Sequence, residues 1–188
     1  MVSTQTKQSM LGCYKVRELS VDTRNLSAAP ESALDALYQR PGFLLRRAHQ
    51  LSVALFEQHC RALALTPPQF GVLKVLSHIQ DIDQARLAKG MGYDKVTILH
   101  VVRGLEGRGL LSRTPHPHDG RRMALRLTEA GRALLEQARQ CASEAYAQLV
   151  SPLAPQEQHQ LLDLLQRLCD ELEPFARAPM HKLRIDPS

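Results

Sequence analysis

A mainly α-helical protein with one small β-hairpin is the fold class this sequence predicts, and three observations carry it. Aromatic residues are scarce, with no Trp, four Phe and four Tyr among 188 residues, so aliphatic side chains must build the core. Apolar residues recur at helical spacing through most of the chain between Pro41 and Leu172. One stretch, LLSRTPHPHDGRRMALRLT (110–128), breaks that period with two short strand-like segments around a polar, basic tip.

Taken in order, residues 1–33 are rich in Ser, Thr, Asn and Gln without a sustained period and read as a flexible N-terminal arm. From Pro41 the pattern sharpens, and a long amphipathic helix is expected over about 44–63. At about 100° per residue, Leu44, Leu45, Ala48, Leu51, Leu55, Phe56, Ala62 and Leu63 gather on one side, opposite Arg46, Arg47, Gln50, Glu57 and Arg61. LTPPQFGVLKVLSHI (65–79) follows, with Thr66 as cap, prolines at the helix start and apolar residues on most of its circumference; such a helix is central and buried. QARLAKGMG (84–92) is a short helix closed by Gly92. The next helix is capped by Asp94 and stopped by Gly109. After the hairpin, Thr128 caps a fifth helix with Leu134, Ala138, Cys141, Ala142, Ala145 and Leu149 at helical spacing. Pro152 and Pro155 end it, and a sixth carries Leu161, Leu162, Leu164, Leu165, Leu168 and Leu172. The segment 176–188 reads as a loose tail.

A short helix, a turn, a second helix and then a hairpin make a winged helix-turn-helix, here over about 65–127. The flanking N- and C-terminal helices (34–63 and 128–175) then serve dimerisation, because the leucine face of the sixth helix is too long for one subunit to cover. Together they form one domain over 34–175. Charge divides the same way. Between Gln84 and Arg132 there are ten Lys or Arg against four Asp or Glu, whereas Leu153 to Phe175 holds five acids and one Arg. A basic segment beside an acidic helix fits a polyanion-binding part joined to a part kept away from the phosphates. The four cysteines are far apart and form no C-x-x-C pair, which excludes a disulfide framework and fits a reducing cytoplasm. No apolar run approaches a membrane span, and no secretory leader is evident.

In the helix from Lys95 to Arg108, Ile98, Val101, Val102 and Leu105 form a core-facing stripe. The opposite face carries Val96, His100 and Arg103, flanked by Lys95, Thr97 and Leu99. A recognition helix needs such a face, with donors for base edges and phosphates and small apolar groups for thymine methyls. The hairpin tip, with Arg121 and Arg122, is expected to reach the adjacent minor groove, where negative potential favours arginine. Gly120 would let the tip turn, and Asp119 would hold an arginine by a bidentate pair. His116 and His118, two apart on such a tip, make a poor closed metal site, so neither metal nor cofactor is expected. No nucleophile–base set, phosphate-binding glycine loop or paired acids point to an enzyme.

The stretch LAKGMGYDKVTILHVVRGLEGRGLLSRTPHPHDGRRMALRLTEAG (87–131) resembles the MarR-type winged-helix regulators. The likeness rests on Leu87-Ala88, Gly92, Leu105-Glu106 with Arg108-Gly109-Leu110, the wing Asp119-x-Arg121, and Leu127-Thr128 with Gly131. LTPPQFGVLKVL resembles that family's second helix, and the likeness spans roughly 37–173. It implies an obligate homodimer on a pseudo-palindromic operator in double-stranded DNA, commonly released by a small ligand. It assigns Lys95, Val96, Thr97, Leu99, His100 and Arg103 to the major groove and Arg121 to the minor groove. Asp94 in place of the usual cap serine, apolar Val96 and Leu99, and Gly104 within the helix depart from the pattern. The family places effectors between the dimerisation helices and the winged core, where Phe43, Arg46, Arg47, His49, His59 and His78 are the candidates. Basic groups beside an apolar wall suit an aromatic carboxylate. RPGFLLRRAHQ (40–50) also resembles the branch repressing aromatic-acid, nicotinate-type degradation. The competing expectation is an architectural nucleic-acid binder without an effector, marked by shallow sequence preference and steep salt dependence.

Overall fold

The computed structural model describes residues 33–79, 81–116 and 119–184, the side chains of 33, 116 and 119–121 excepted. All but the last residue of the expected arm over 1–33 lies outside them. The chain divides into two units between Leu44 and Leu45.

Helix α1 (Ala33–Tyr38), in the first unit, stops before Arg40, and α2 (Pro41–His59) starts on Pro41 and continues into the second. A proline disfavours helical backbone in the residue before it and is tolerated in a first turn, so the break falls there. The Tyr38 and Phe43 rings meet edge-on at 5.3 Å. A helix was expected over 44–63, and the structure ends it earlier, at His59. Beyond His59 a 3-10 turn (Arg61–Leu63) follows, closed by Ala64 in left-handed conformation at φ 48°.

The second unit is built around α3 (Pro67–His78), which buries Phe70, Val72, Leu73 and Leu76. Its start is a capping box: Thr66 Oγ1 accepts from the Gln69 amide, and Gln69 Oε1 accepts from the Thr66 amide. Strand β1 (Ile82–Asp83) leads into α4 (Gln84–Met91), and the turn at Gly92 (φ +65°) leads into α5 (Lys95–Gly107). Strands β2 (Leu111–His116) and β3 (Asp119–Leu127) form the hairpin, followed by α6 (Glu129–Val150) and α7 (Pro155–Leu172). Helix α3 touches α4, α5 and α6. The core they share contains Ile82, Leu87, Ile98, Val102, Leu105, Leu125 and Leu135.

The sheet is antiparallel in the order β1-β3-β2, with Ile82 opposite Leu125 and Leu111 opposite Leu127. A two-stranded wing was expected. The additional strand is only two residues long, too short to show alternation, yet its Ile82 is fully buried. The tail also departs from expectation. After a 3-10 turn (Glu173–Phe175) the chain returns to α4, where the His181 amide donates to the Lys89 carbonyl at 2.9 Å and Leu183 packs against the core. Among the described residues, no helix is long and apolar enough to cross a membrane.

Candidate functional site

Helix α5 is fixed at both ends by its own sequence. Asp94 Oδ1 accepts from the amides of Val96 and Thr97, each at 2.8 Å, and Oδ2 accepts from the Thr97 hydroxyl at 2.7 Å. The Thr97 amide, then its hydroxyl and the Val96 amide, hold this carboxyl below the usual carboxylate range. The far end is a Schellman closure. Gly109 at φ +69° donates to Glu106 and Leu110 donates to Leu105, joining buried Leu105 to buried Leu110. Arg108 adds a two-pronged tie, donating to the carbonyls of Ala64 (2.7 Å) and Leu63 (2.9 Å).

Between these ends Ile98, Val102 and Leu105 are buried, while Lys95, Val96, His100 and Arg103 face solvent. Val96 is 63% exposed, which a solvated helix has no use for. Thr97 and Leu99 are half-buried on the flanks, and the Thr97 hydroxyl is committed to the cap.

In the hairpin, Asp119, Gly120, Arg121 and Arg122 belong to strand β3. They were expected at the hairpin tip; residues 117 and 118 lie outside the described residues. The side chains of Asp119 and Arg121 also lie outside them. Arg122 is largely exposed, and its Nη1 lies 3.2 Å from Asp83 Oδ2. Around that pair Arg86, Lys89 and Met123 line an open cavity of about 650 Å³ between α4 and the wing.

A second cavity, of about 410 Å³, lies between α3 and α6. Phe70, Leu135, Ala142 and Tyr146 form its apolar wall, and Lys74, His78 and Arg139 bring donors to it. Burial raises the Tyr146 hydroxyl above its ordinary range, so it stays protonated at neutral pH. Of the six effector-site candidates from the sequence, His78 alone lines this cavity. Phe43 meets Tyr38 edge-on in the first unit, Arg46 donates to Gln50, and Arg47 and His49 are exposed on α2. His59 is half-buried and committed to α6, with Nε2 at 2.7 Å from Gln148 Oε1 and Nδ1 at 3.6 Å from Glu144 Oε2. Lys74, Arg139 and Tyr146 were missed. The signal for Lys74 was available, as one cation inside the apolar run VLKVL. Arg139, Ala142, Ser143 and Tyr146 stand at i, i+3, i+4 and i+7, one face of α6.

Helix α7 buries none of its residues: Leu161, Leu162, Leu164, Leu168 and Leu172 are all exposed. Among the described residues, no group of three or more His, Cys, Asp or Glu could hold a metal ion.

Residues 65–123 match the family model described as MarR family. Over 155 residues the chain is 32% identical to the HTH-type transcriptional repressor NicR of Pseudomonas putida, covering 82% of this chain and 98% of that one. The structure of Bordetella bronchiseptica BpsR, described as regulated in DNA binding by 6-hydroxynicotinic acid, is similar at TM-score 0.67. It is 32% identical, over 71% of this chain and 95% of that one. The transcriptional repressor CouR bound to a 23-mer DNA duplex is similar at TM-score 0.68 and 31% identity, over 74% of this chain and 99% of that one. A capped recognition-type helix, a basic wing and this likeness along nearly the whole of NicR agree: the chain belongs to the MarR family of transcriptional regulators.

Proposed function

We propose that the protein is a cytoplasmic repressor that binds a pseudo-palindromic operator as a homodimer and is released by a small aromatic carboxylate. The observation that carries the reading is the outer face of α5, where exposed Lys95, Val96, His100 and Arg103 sit on a helix locked at both ends. A water-facing valine is costly, and a thymine methyl in a major groove gives it a partner. Arg121, on the wing strand, supplies the minor-groove contact in this reading. Arg122 instead braces the wing through Asp83.

The bare leucines of α7 find their partner in a second copy, which sets two recognition helices about 34–36 Å apart, one turn of DNA. The cavity between α3 and α6 takes the effector. Its apolar wall fits an aromatic ring, Lys74 and Arg139 fit the carboxylate, and about 410 Å³ lies within the usual range for small-molecule sites. That BpsR is regulated by 6-hydroxynicotinic acid supports this choice of ligand class. The chain's work is binding, without turnover.

Fluorescence anisotropy on DNA from the gene's own upstream region, against scrambled DNA at equal salt, tests the reading, repeated with a panel of aromatic acids. Selective binding abolished by one acid is the expected result, and Arg121→Ala should weaken it with dimer and fold intact. Equal binding to both DNAs, indifferent to every acid, would instead establish the architectural binder.

A further inference from the structure

The chain from Ala178 to Arg184 is tied first to the 3-10 turn after α7 and then to the helix-turn-helix. The Met180 amide donates to Glu173 Oε1, and the His181 amide donates to the Lys89 carbonyl at 2.9 Å. Leu183 lies so close over Gly90 that a Cβ there would stand 2.4 Å from its Cγ and Cδ1. At Gly92 a Cβ would meet that of Met180 at 3.4 Å. Two glycines at the end of α4 and in its turn therefore form a seat for two apolar side chains of the tail. The same turn leads directly to Asp94, the cap of the recognition helix.

What this seat displays is basic. His181, Lys182 and Arg184 are exposed. Lys89, whose carbonyl anchors His181, lines the cavity that also holds Arg86 and Arg122. Lys182 Nζ lies 3.1 Å from Asp170 Oδ1, but both side chains are more than half exposed. Such a surface pair contributes little, so exchanging the carboxylate for a phosphate costs little.

We propose that the segment Ala178–Arg184 is a basic strap belonging to the DNA interface, whose Lys182 and Arg184 contact backbone phosphates beside Lys89. This rests on the DNA-binding reading above. The strap contributes affinity without sequence preference, because phosphates carry no base information.

The test is the salt dependence of DNA binding by the full-length protein, on operator and scrambled DNA. Lys182→Ala/Arg184→Ala removes the charges and keeps Leu183 seated. Gly90→Ala keeps the charges and unseats Leu183, at a site inside a helix where alanine is otherwise favoured. Both variants should weaken binding to the two DNAs by the same factor and lower the slope of log K against log salt by about 1 to 2. A wild-type slope in the double variant overturns the strap, whatever Gly90→Ala does. Failure of the wild type to prefer operator over scrambled DNA overturns the repressor reading instead, and the two failures are separable.

Discussion

The Thr128 hydroxyl donates to the Gly109 carbonyl at 2.8 Å and accepts from the Gly131 amide at 3.1 Å. One side chain therefore closes the exit of α5 and opens α6. Gly131 is packed so tightly that a Cβ would lie 2.0 Å from the Leu110 carbonyl oxygen. The helix that begins here goes on to line the α3–α6 cavity, so a ligand that shifts α6 acts on the end of the recognition helix through a short, stiff joint. Thr128→Val removes both bonds at nearly constant shape and should cost about 1–2 kcal/mol, read as a denaturation midpoint. It should also separate acid binding, measured directly, from operator release, which should need more acid than before. Wild-type release would show that the joint carries no coupling.

The cavity cations are separable from the DNA face. Arg139→Gln keeps a polar, hydrogen-bonding side chain, though a shorter one, and loses its charge. It should weaken binding of the releasing acid by about 1.5–3 kcal/mol, the usual worth of a hydrogen bond to a charged group. Operator affinity without acid should be unchanged, because Arg139 stands on α6, away from the outer face of α5. Isothermal titration with the acid and anisotropy with DNA provide the two readings. A loss of DNA binding without loss of acid binding would reverse the assignment.

Dimerisation through α7 makes a prediction of a different kind. Leu164 and Leu168 are 45% and 42% exposed and one helical turn apart. Leu164→Asp/Leu168→Asp places two charges where the partner's apolar surface is expected, at a prohibitive desolvation cost. Sedimentation should show a monomer with near-wild-type helix content, since neither leucine supports the subunit's own core. Operator affinity should collapse, because one recognition helix remains to do the work of two. A dimer that survives both substitutions would move the interface elsewhere.

The order of helices from Thr66 to Thr128 was readable because each boundary is set by a residue whose backbone chemistry is local. Thr66, Asp94 and Thr128 cap helices, and Gly92 and Gly109 take the left-handed turns. The exposed face of α5 was readable too, since it is the complement of a buried stripe on one helix. Features made by distant pairs were hidden. Arg122 looks like a free tip arginine until β1 brings Asp83 beside it, 39 residues away in sequence. The cavity draws on α3 and α6 together, so Arg139 and Tyr146 carry no mark of it in their own neighbourhood. The tail's seat depends on Gly90, which in isolation reads only as a weak helix residue.

Cys60 supplies the last prediction. Its side chain is fully buried at the junction of α2 with the 3-10 turn, and its Sγ lies 2.9 Å from that of Cys141 on α6. Burial first, and then the neighbouring thiol, push its pKa from about 9 up to about 12. A group whose charged form is disfavoured in the fold loses its proton first in the unfolded chain. Above about pH 9 the unfolded state then holds fewer protons than the native one, and stability falls with rising pH by about 1.4 kcal/mol per unit until the folded thiol itself titrates. Tyr93 and Tyr146, also raised by burial, add a loss of the same sign at higher pH. Cys60→Ala should lower stability at pH 7 through the small void it leaves, yet flatten the decline between pH 9 and 10, the tyrosine contribution being common to both proteins. Denaturant midpoints for the two proteins at pH 7, 9 and 10 decide it: parallel declines would mean that Cys60 titrates in the folded protein as it does in the open chain.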